Sequence, residues 1–313
     1  MRKSCNVMIL GGGGFIGQNL ARFLVEREYD VSVFDQKTPE NKIHDVRYIE
    51  GDFFSDRSLD VLREGQDIII HALSTVNPGN SNSAYLRGYG WDFLQTINLF
   101  DRLSKTGTRL LFISSAGTVY GRYGDHPFDE ADPLRPINHY GSIKACVETA
   151  MRAFNEQQHT RFLSCRISNP YGPGQDSQKG VGFIDAAIKS ILNRRPLEVW
   201  GDGSVVRDYI YIEDVCRMME ALIRYEGNLQ TFNISTGIGT SQNEIIDIFR
   251  NLGYKLDVRY LKTRSVDAKY NIVSNHKVVA ATGCTCMKLE EGIARYMQWL
   301  GTSSERMSGV WRN

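Results

Sequence analysis

Val7-Met8-Ile9-Leu10-Gly11-Gly12-Gly13-Gly14-Phe15-Ile16-Gly17 decides the fold. An apolar run ends on glycines spaced three apart, and a helical pattern follows at once. The first glycine permits a tight turn, the second lets backbone amides approach a pyrophosphate, and the third lets helix and strand pack closely. The phosphate then rests on the positive end of the helix dipole. Asp35, 18 residues beyond Gly17, closes a second β-branched run, where a carboxylate accepts hydrogen bonds from an adenosine ribose. The stretch is therefore expected to bind a dinucleotide through Gly11, Gly14, Phe15, Ile16, Gly17 and Asp35. A carboxylate there repels a 2′-phosphate, and no arginine follows in Gln36-Lys37-Thr38, so NAD is favoured over NADP. Asp52 and Phe53, after a third run, are further candidate cofactor contacts.

Working outward, short β-branched runs alternate with longer helical patterns, which is how a parallel sheet with crossover helices is written. Strands are expected at Asn6–Leu10, Asp30–Phe34, Val46–Glu50, Asp67–Ile70, Arg109–Ile113 and Phe162–Ile167. Helices are expected at Phe15–Arg27, Asp92–Lys105 and Tyr140–Glu156. The fold class is α/β, a Rossmann-type doubly wound parallel sheet with a smaller C-terminal α/β substrate domain. After Ile167 the turn-rich Asn169-Pro-Tyr-Gly-Pro-Gly174 marks a change of texture. Tyr209–Ile212 reads as a strand before an amphipathic helix from Asp214 to Tyr225. Residues 1–167, plus roughly 206–234, are thus assigned to the nucleotide domain, and 168–205 with 235–313 to the substrate domain. From Gly301 onward the chain reads as a frayed polar tail.

With 42% hydrophobic and 23% charged residues among 313, the chain is an ordinary globular one. Lys and Arg number 37 against 36 Asp and Glu, so a formal +1 gives no global field toward nucleic acid or an anionic membrane. No run approaches the ~18 apolar residues of a membrane span, and Met1–Asn6 lacks a signal-peptide core. A cytoplasmic protein is expected, with no nucleic-acid partner and no membrane insertion. Cys5, Cys146, Cys165, Cys216, Cys284 and Cys286 are scattered without a Cys-x-x-Cys or a matching histidine cluster. They read as structural thiols, and no metal is expected.

Two further stretches bear on chemistry: Ser114-Ser115-Ala116-Gly117-Thr118-Val119-Tyr120-Gly121 at the end of a strand, and Tyr140-Gly-Ser-Ile-Lys144 on a helix. Tyr and Lys one helical turn apart project from the same face. The Lys144 ammonium, with help from the positive nicotinamide, is expected to lower the pKa of the Tyr140 phenol, making it a base near neutral pH. With the glycine motif, these residues resemble the extended short-chain dehydrogenase/reductases, specifically the nucleotide-sugar epimerases of the UDP-glucose 4-epimerase type. The resemblance covers nearly the whole chain. It implies that Tyr140 takes a proton from a sugar hydroxyl while hydride passes to the nicotinamide, and that Lys144 also holds the nicotinamide ribose.

The chain departs from that pattern in three places. The Ser/Thr that follows the two serines in the epimerases is Ala116 here, so Ser115 or Thr118 has to supply the hydroxyl. His71-Ala-Leu-Ser74 matches the family's His-x-Ala-Ala only loosely, and Asp92 stands where an Asn is usual. The acidic pair that serves water elimination in the family's dehydratases has no counterpart in Ala116-Gly117-Thr118, which argues against dehydration.

On the substrate side the resemblance implies that Asn169 contacts the substrate pyrophosphate, that Arg207 in Arg207-Asp208-Tyr209 clamps a phosphate, and that Arg264 and Asp267 meet phosphate and nucleotide ribose. Seven residues beyond Arg264, epimerases restricted to unsubstituted sugars place a bulky Tyr; here the position falls on Asn271, which would leave room for an N-acetyl group. The expected activity is NAD-dependent 4-epimerisation of a UDP-hexose or UDP-N-acetylhexosamine through a transient 4-keto sugar, feeding polysaccharide or glycoconjugate synthesis. Rivals are a nucleotide 4-keto-sugar reductase on the same scaffold and a non-catalytic NAD-binding sensor. The family also implies a homodimer.

Overall fold

The computed structural model describes residues 5–55, 59, 65–122, 126–175, 182–262 and 269–307, the side chains of 302–307 excepted. Seven parallel strands form the central sheet, in the order β10-β6-β5-β4-β1-β2-β3. They are β1 (Asn6–Leu10), β2 (Asp30–Asp35), β3 (Val46–Glu50), β4 (Ile68–His71), β5 (Arg109–Ser115), β6 (Phe162–Ile167) and β10 (Thr231–Ile234). The sequence order reverses between β1 and β4. In a sheet of this kind the crevice at the carboxyl ends of those two strands is where a ligand binds.

The strands are near-continuous apolar runs because both faces are covered. Val7 and Ile9 of β1 enter one core with Leu20 and Leu24 of the helix Phe15–Val25. Met8 and Leu10 enter the opposite core with Leu99, Phe100 and Val147. Most expected elements fall within two residues of the observed ones. The strand expected from Tyr209 begins three residues earlier, at Val206, and the helix expected from Asp92 begins at Tyr85 and passes through a π-helical turn, Gly88–Phe93, before the regular helix Leu94–Leu103. The helix His139–Gln158 is capped by Asn138, whose side-chain oxygen accepts the Gly141 N–H at 2.8 Å.

The rest of the chain builds smaller sheets beside the carboxyl edge. β9 (Val206–Tyr211) pairs with β7 (Asn169–Tyr171), β11 (Gly239–Ser241) and β13 (Tyr270–Asn271), while β8 (Leu197–Trp200) pairs with β12 (Val258–Leu261). A third core holds Tyr171, Ile188, Val199, Phe249 and Tyr296 together. The expected return at 206–234 thus divides. The helix Ile212–Ile223 packs on the first core and β10 joins the large sheet as its outer strand, but β9 belongs to the smaller one. The polar tail expected from Gly301 is also corrected. The helix Leu289–Met307 continues through Gly301, since no proline or left-handed residue stops it.

Candidate active site

The glycine loop is closed by contacts that forbid side chains. Gly11 has φ +77°, a Cβ on Gly17 would lie 2.6 Å from Gly12 Cα, and one on Gly12 would lie 2.6 Å from a Val33 methyl. Asp35 stands at the carboxyl end of β2, its Oδ2 accepting the Gly13 N–H at 2.9 Å and its Oδ1 the Gln36 N–H at 2.7 Å. Gly14 caps the helix Phe15–Val25 with no side-chain bond to the first amides. Those free N–H groups beside a carboxylate positioned for a ribose fit the pyrophosphate and adenosine of NAD. Asp52 is exposed and accepts the Phe54 N–H at 3.1 Å. The Phe53 ring is a core group, fully buried and edge-on to His71 at 5.3 Å.

Gly13, Gly14, Phe15 and Ile16 form one wall of a cavity of about 770 Å³. Ser115, Thr118 and Tyr140 form its middle, and Asn169, Arg207 and Asn271 its far side. Three distant parts of the chain therefore meet at one opening. Gly141 makes the closest approach possible: a Cβ there would sit 2.5 Å from the Thr118 carbonyl oxygen, so Tyr140 can lie directly against the end of β5. Ser115 Oγ has no hydrogen-bond partner among the described residues, whereas the Thr118 hydroxyl donates to the Ser115 carbonyl at 3.4 Å.

Lys144 lies behind Tyr140, 4% exposed, with its Nζ donating to the Ile113 carbonyl at 2.9 Å. The Tyr140 ring centroid is 5.5 Å from that nitrogen. Burial lowers the Lys144 pKa to about 8, against the opposing charges of Asp92 and Glu148. The Tyr140 phenol does not follow the expected direction: burial first, then the Asp92 charge, push it up to about 12. The protein's own groups thus hold Tyr140 protonated, and the positive charge needed to draw it down has to come with the nicotinamide. His71 is the last residue of β4, its Nε2 2.9 Å from Thr96 Oγ1, and burial lowers its pKa to about 3.

On the far side, register places Arg207 beside Asn271 on paired strands, and Asn169 beside Tyr209. Asn169 Nδ2 donates to the Asp208 carbonyl at 2.7 Å, and Arg207 Nη1 to the Val206 carbonyl at 2.8 Å. The Asp208 carboxylate is buried and accepts from Ser168 Oγ, Thr236 N and Oγ1, and Gly237 N, at 2.9 to 3.2 Å. It locks β9 to the end of β6 and to the turn after β10. Asn271 is 2% exposed, and neither of its amide atoms has a partner among the described residues. Arg264 and Asp267 lie outside the described residues.

Sequence reasoning missed Pro78, Asn82, Asn138 and Gln175, all on the cavity wall. Asn138 had a signal, an N-cap residue just before a periodic helix. The others lie in loops, where no spacing announces them. Among the described residues no cluster of His, Cys, Asp or Glu could hold a metal, and all six cysteines are free. No helix of those residues is long and apolar enough to cross a membrane.

A doubly wound sheet with a glycine loop at its switch point and a Tyr/Lys pair across the cavity defines a nicotinamide-dependent enzyme of the short-chain dehydrogenase type. Residues 7–235 match the family described as NAD dependent epimerase/dehydratase. A Methanocaldococcus jannaschii protein provisionally named a UDP-glucose 4-epimerase is 30% identical over 94% of this chain and 98% of its own. The dTDP-4-dehydro-6-deoxyglucose reductase of Escherichia coli is 30% identical over 76% of this chain and 79% of its own. The UDP-glucose 4-epimerase of Thermotoga maritima, solved with UDP-glucose, superposes with a TM-score of 0.89 at 25% identity, covering 95% of this chain and 99% of its own. The chain belongs to the NAD-dependent epimerase/dehydratase family.

Proposed function

We propose that this enzyme interconverts the C4 epimers of a UDP-hexose, with UDP-N-acetylhexosamines among its substrates. One observation carries the reading: Tyr140, the Ser115 and Thr118 hydroxyls, and Asn169, Arg207 and Asn271 line a single cavity that opens from the glycine loop. NAD, when bound, supplies the hydride acceptor and the positive charge that makes the phenol acidic. Tyr140 Oη takes the proton of the sugar 4-hydroxyl and later returns it. Ser115 or Thr118 holds the reacting oxygen. Lys144, pinned by Ile113, keeps its remaining protons for the nicotinamide ribose. Arg207 and Asn169 bind the pyrophosphate as a fixed anchor, on which the sugar would be free to turn and present either face to a bound nicotinamide. Arg264 and Asp267 complete the nucleotide site in this reading. Residues 1–167 with 212–234 serve the cofactor in this reading, and 168–211 with 235–313 the sugar nucleotide.

Asn271 occupies the wall where a tyrosine would close the sugar pocket, which supports room for an acetamido group. A homodimer is supported by Leu86, Trp91 and Leu94, which are 74%, 50% and 55% exposed on and beside one helix, an apolar face of the kind that a second copy covers. A second reading, a 4-keto-sugar reductase, is favoured by one observation: Ala116 replaces the usual hydroxyl, and it is fully buried. Incubating the purified protein without added nicotinamide with UDP-Glc, UDP-Gal, UDP-GlcNAc and UDP-GalNAc separately, and following the anomeric protons by NMR, tests both. Interconversion within a pair establishes the epimerase; inert sugars with consumption of reduced nicotinamide on a 4-keto sugar establish the reductase. UDP-hexose turnover with inert UDP-hexosamine overturns the N-acetyl assignment alone.

A further inference from the structure

Asp92 meets only hydrogen-bond donors. Its Oδ2 accepts the Thr75 N–H at 2.8 Å and the Ser74 hydroxyl at 2.9 Å, and its Oδ1 accepts the Thr75 hydroxyl at 2.6 Å. Two of the three donors are hydroxyls, whose oxygens can also accept, so an amide of the same shape could be satisfied here with its oxygen on the Thr75 N–H; what distinguishes Asp92 from it is the charge. Asp92 is 6% exposed and sits in the π-helical turn Gly88–Phe93, a geometry found often at functional sites.

That turn is pressed against the helix of the Tyr/Lys pair. A Cβ on Gly88 would lie 2.3 Å from Ile143 Cδ1, and Tyr89 Oη is 3.4 Å from His139 Nδ1. On its other side Asp92 faces Ser74, whose single hydroxyl proton is within reach of Asp92 Oδ2 at 2.9 Å and of the Val76 carbonyl at 2.8 Å, just before the cavity residues Pro78 and Asn82. Resting on the epimerase reading for the role of Tyr140, we propose that Asp92 is a positioning residue that ties the Ser74–Asn82 loop to the Tyr140 helix and sets a fixed negative charge behind the Tyr140–Lys144 pair.

The charge acts in one direction on both partners, holding the proton on Lys144 and on Tyr140. The other ionisable groups facing this pair are few. Glu148, one turn beyond Lys144, also favours the charged lysine and is ion-paired with Arg166 at 2.6 Å. His71 on β4 is neutral through burial, His139 precedes Tyr140, and Arg87 lies over the Trp91 ring at 5.0 Å. Burial, and after it the Asp92 charge, hold Tyr140 in its protonated form, so Asp92 adds to the positive charge that an occupied nicotinamide site has to supply before the base ionises.

The test is a pH titration of the phenolate ultraviolet band in the NAD-bound protein, taken as the difference from Tyr140→Phe. Asp92→Asn should move the Tyr140 midpoint down by roughly 0.5–1 pH unit. Thr75→Val removes one donor but leaves the charge, so it should lower thermal stability with the midpoint in place. The Asp92→Asn/Thr75→Val double variant, which also removes the hydroxyl facing Oδ1, serves if the single variant does not fold. A wild-type midpoint in the Asp92→Asn proteins, or an equal shift in Thr75→Val, overturns the proposal. The titration reads the phenol whether or not a UDP-sugar turns over. Failure of the epimerase reading would appear in the NMR assay and leave this result standing.

Discussion

The two ends of the cavity are made of different material. The cofactor end is built by backbone: glycines at 11, 12 and 17 that cannot take a Cβ, and free amides at the start of a helix. The sugar end is built by side chains from three strands, Asn169, Arg207 and Asn271, each set by pairing to β9 or by its own place on it. A backbone site binds what any dinucleotide offers, a pyrophosphate. A side-chain site can be changed one residue at a time. The cofactor end should therefore be intolerant of substitution, and the sugar end should trade one specificity for another.

Tyr140→Phe sits where the two ends meet and should have the largest effect. Losing the proton acceptor is expected to reduce turnover by about 10²- to 10⁴-fold while bound NAD is retained, read as turnover against the protein's nicotinamide absorbance. Unchanged turnover would place the chemistry elsewhere, or favour a silent NAD sensor if no turnover existed to lose. At the cofactor end, Gly17→Val puts carbon within 2.6 Å of Gly12 Cα. It should cost about 1–3 kcal/mol of stability and release NAD on purification. A stable variant with full NAD would show the loop to be less close-packed than these contacts require.

At the sugar end, Asn271→Tyr should lower UDP-hexosamine turnover roughly tenfold or more and leave UDP-hexose nearly unchanged, compared as kcat/KM on the two classes. Equal loss on both would make the wall structural. The smallest effect is one of stability. Buried His71 has its pKa lowered from 6.5 to about 3, so between those values the unfolded chain binds the proton more readily. The stability it contributes is present above pH 6.5 and is lost as pH falls through that window. His71→Asn should flatten the acid side of the thermal-midpoint profile by on the order of 1–2 kcal/mol between pH 6.5 and about 5. An unchanged slope would mean that other groups set the acid limb.

The same contrast explains what could be read in advance. Gly11 to Gly17 lie within seven residues, and their spacing states the turn, the phosphate contact and the packing together. Tyr140 and Lys144 lie on one helical turn, so their shared face was also legible. Their proton balance was not, because it depends on burial and on Asp92, 48 positions earlier in the chain and turned inward by a π-turn that no period announces. Pro78, Asn82 and Gln175 come from loops whose course is set by what they pack against. The assignment of β9 to the small sheet rests on pairing across more than 30 residues, which an alternating apolar pattern cannot specify.

The central claim is that hydride leaves C4 and returns to the same sugar within one protein molecule. It is tested most directly by supplying UDP-glucose deuterated at C4, with no added nicotinamide, and examining the product by mass and proton NMR. The account predicts UDP-galactose that keeps the deuterium at C4 in full. Conversion with loss of the label to solvent, or deuterium appearing only in nicotinamide that has to be added, would contradict it.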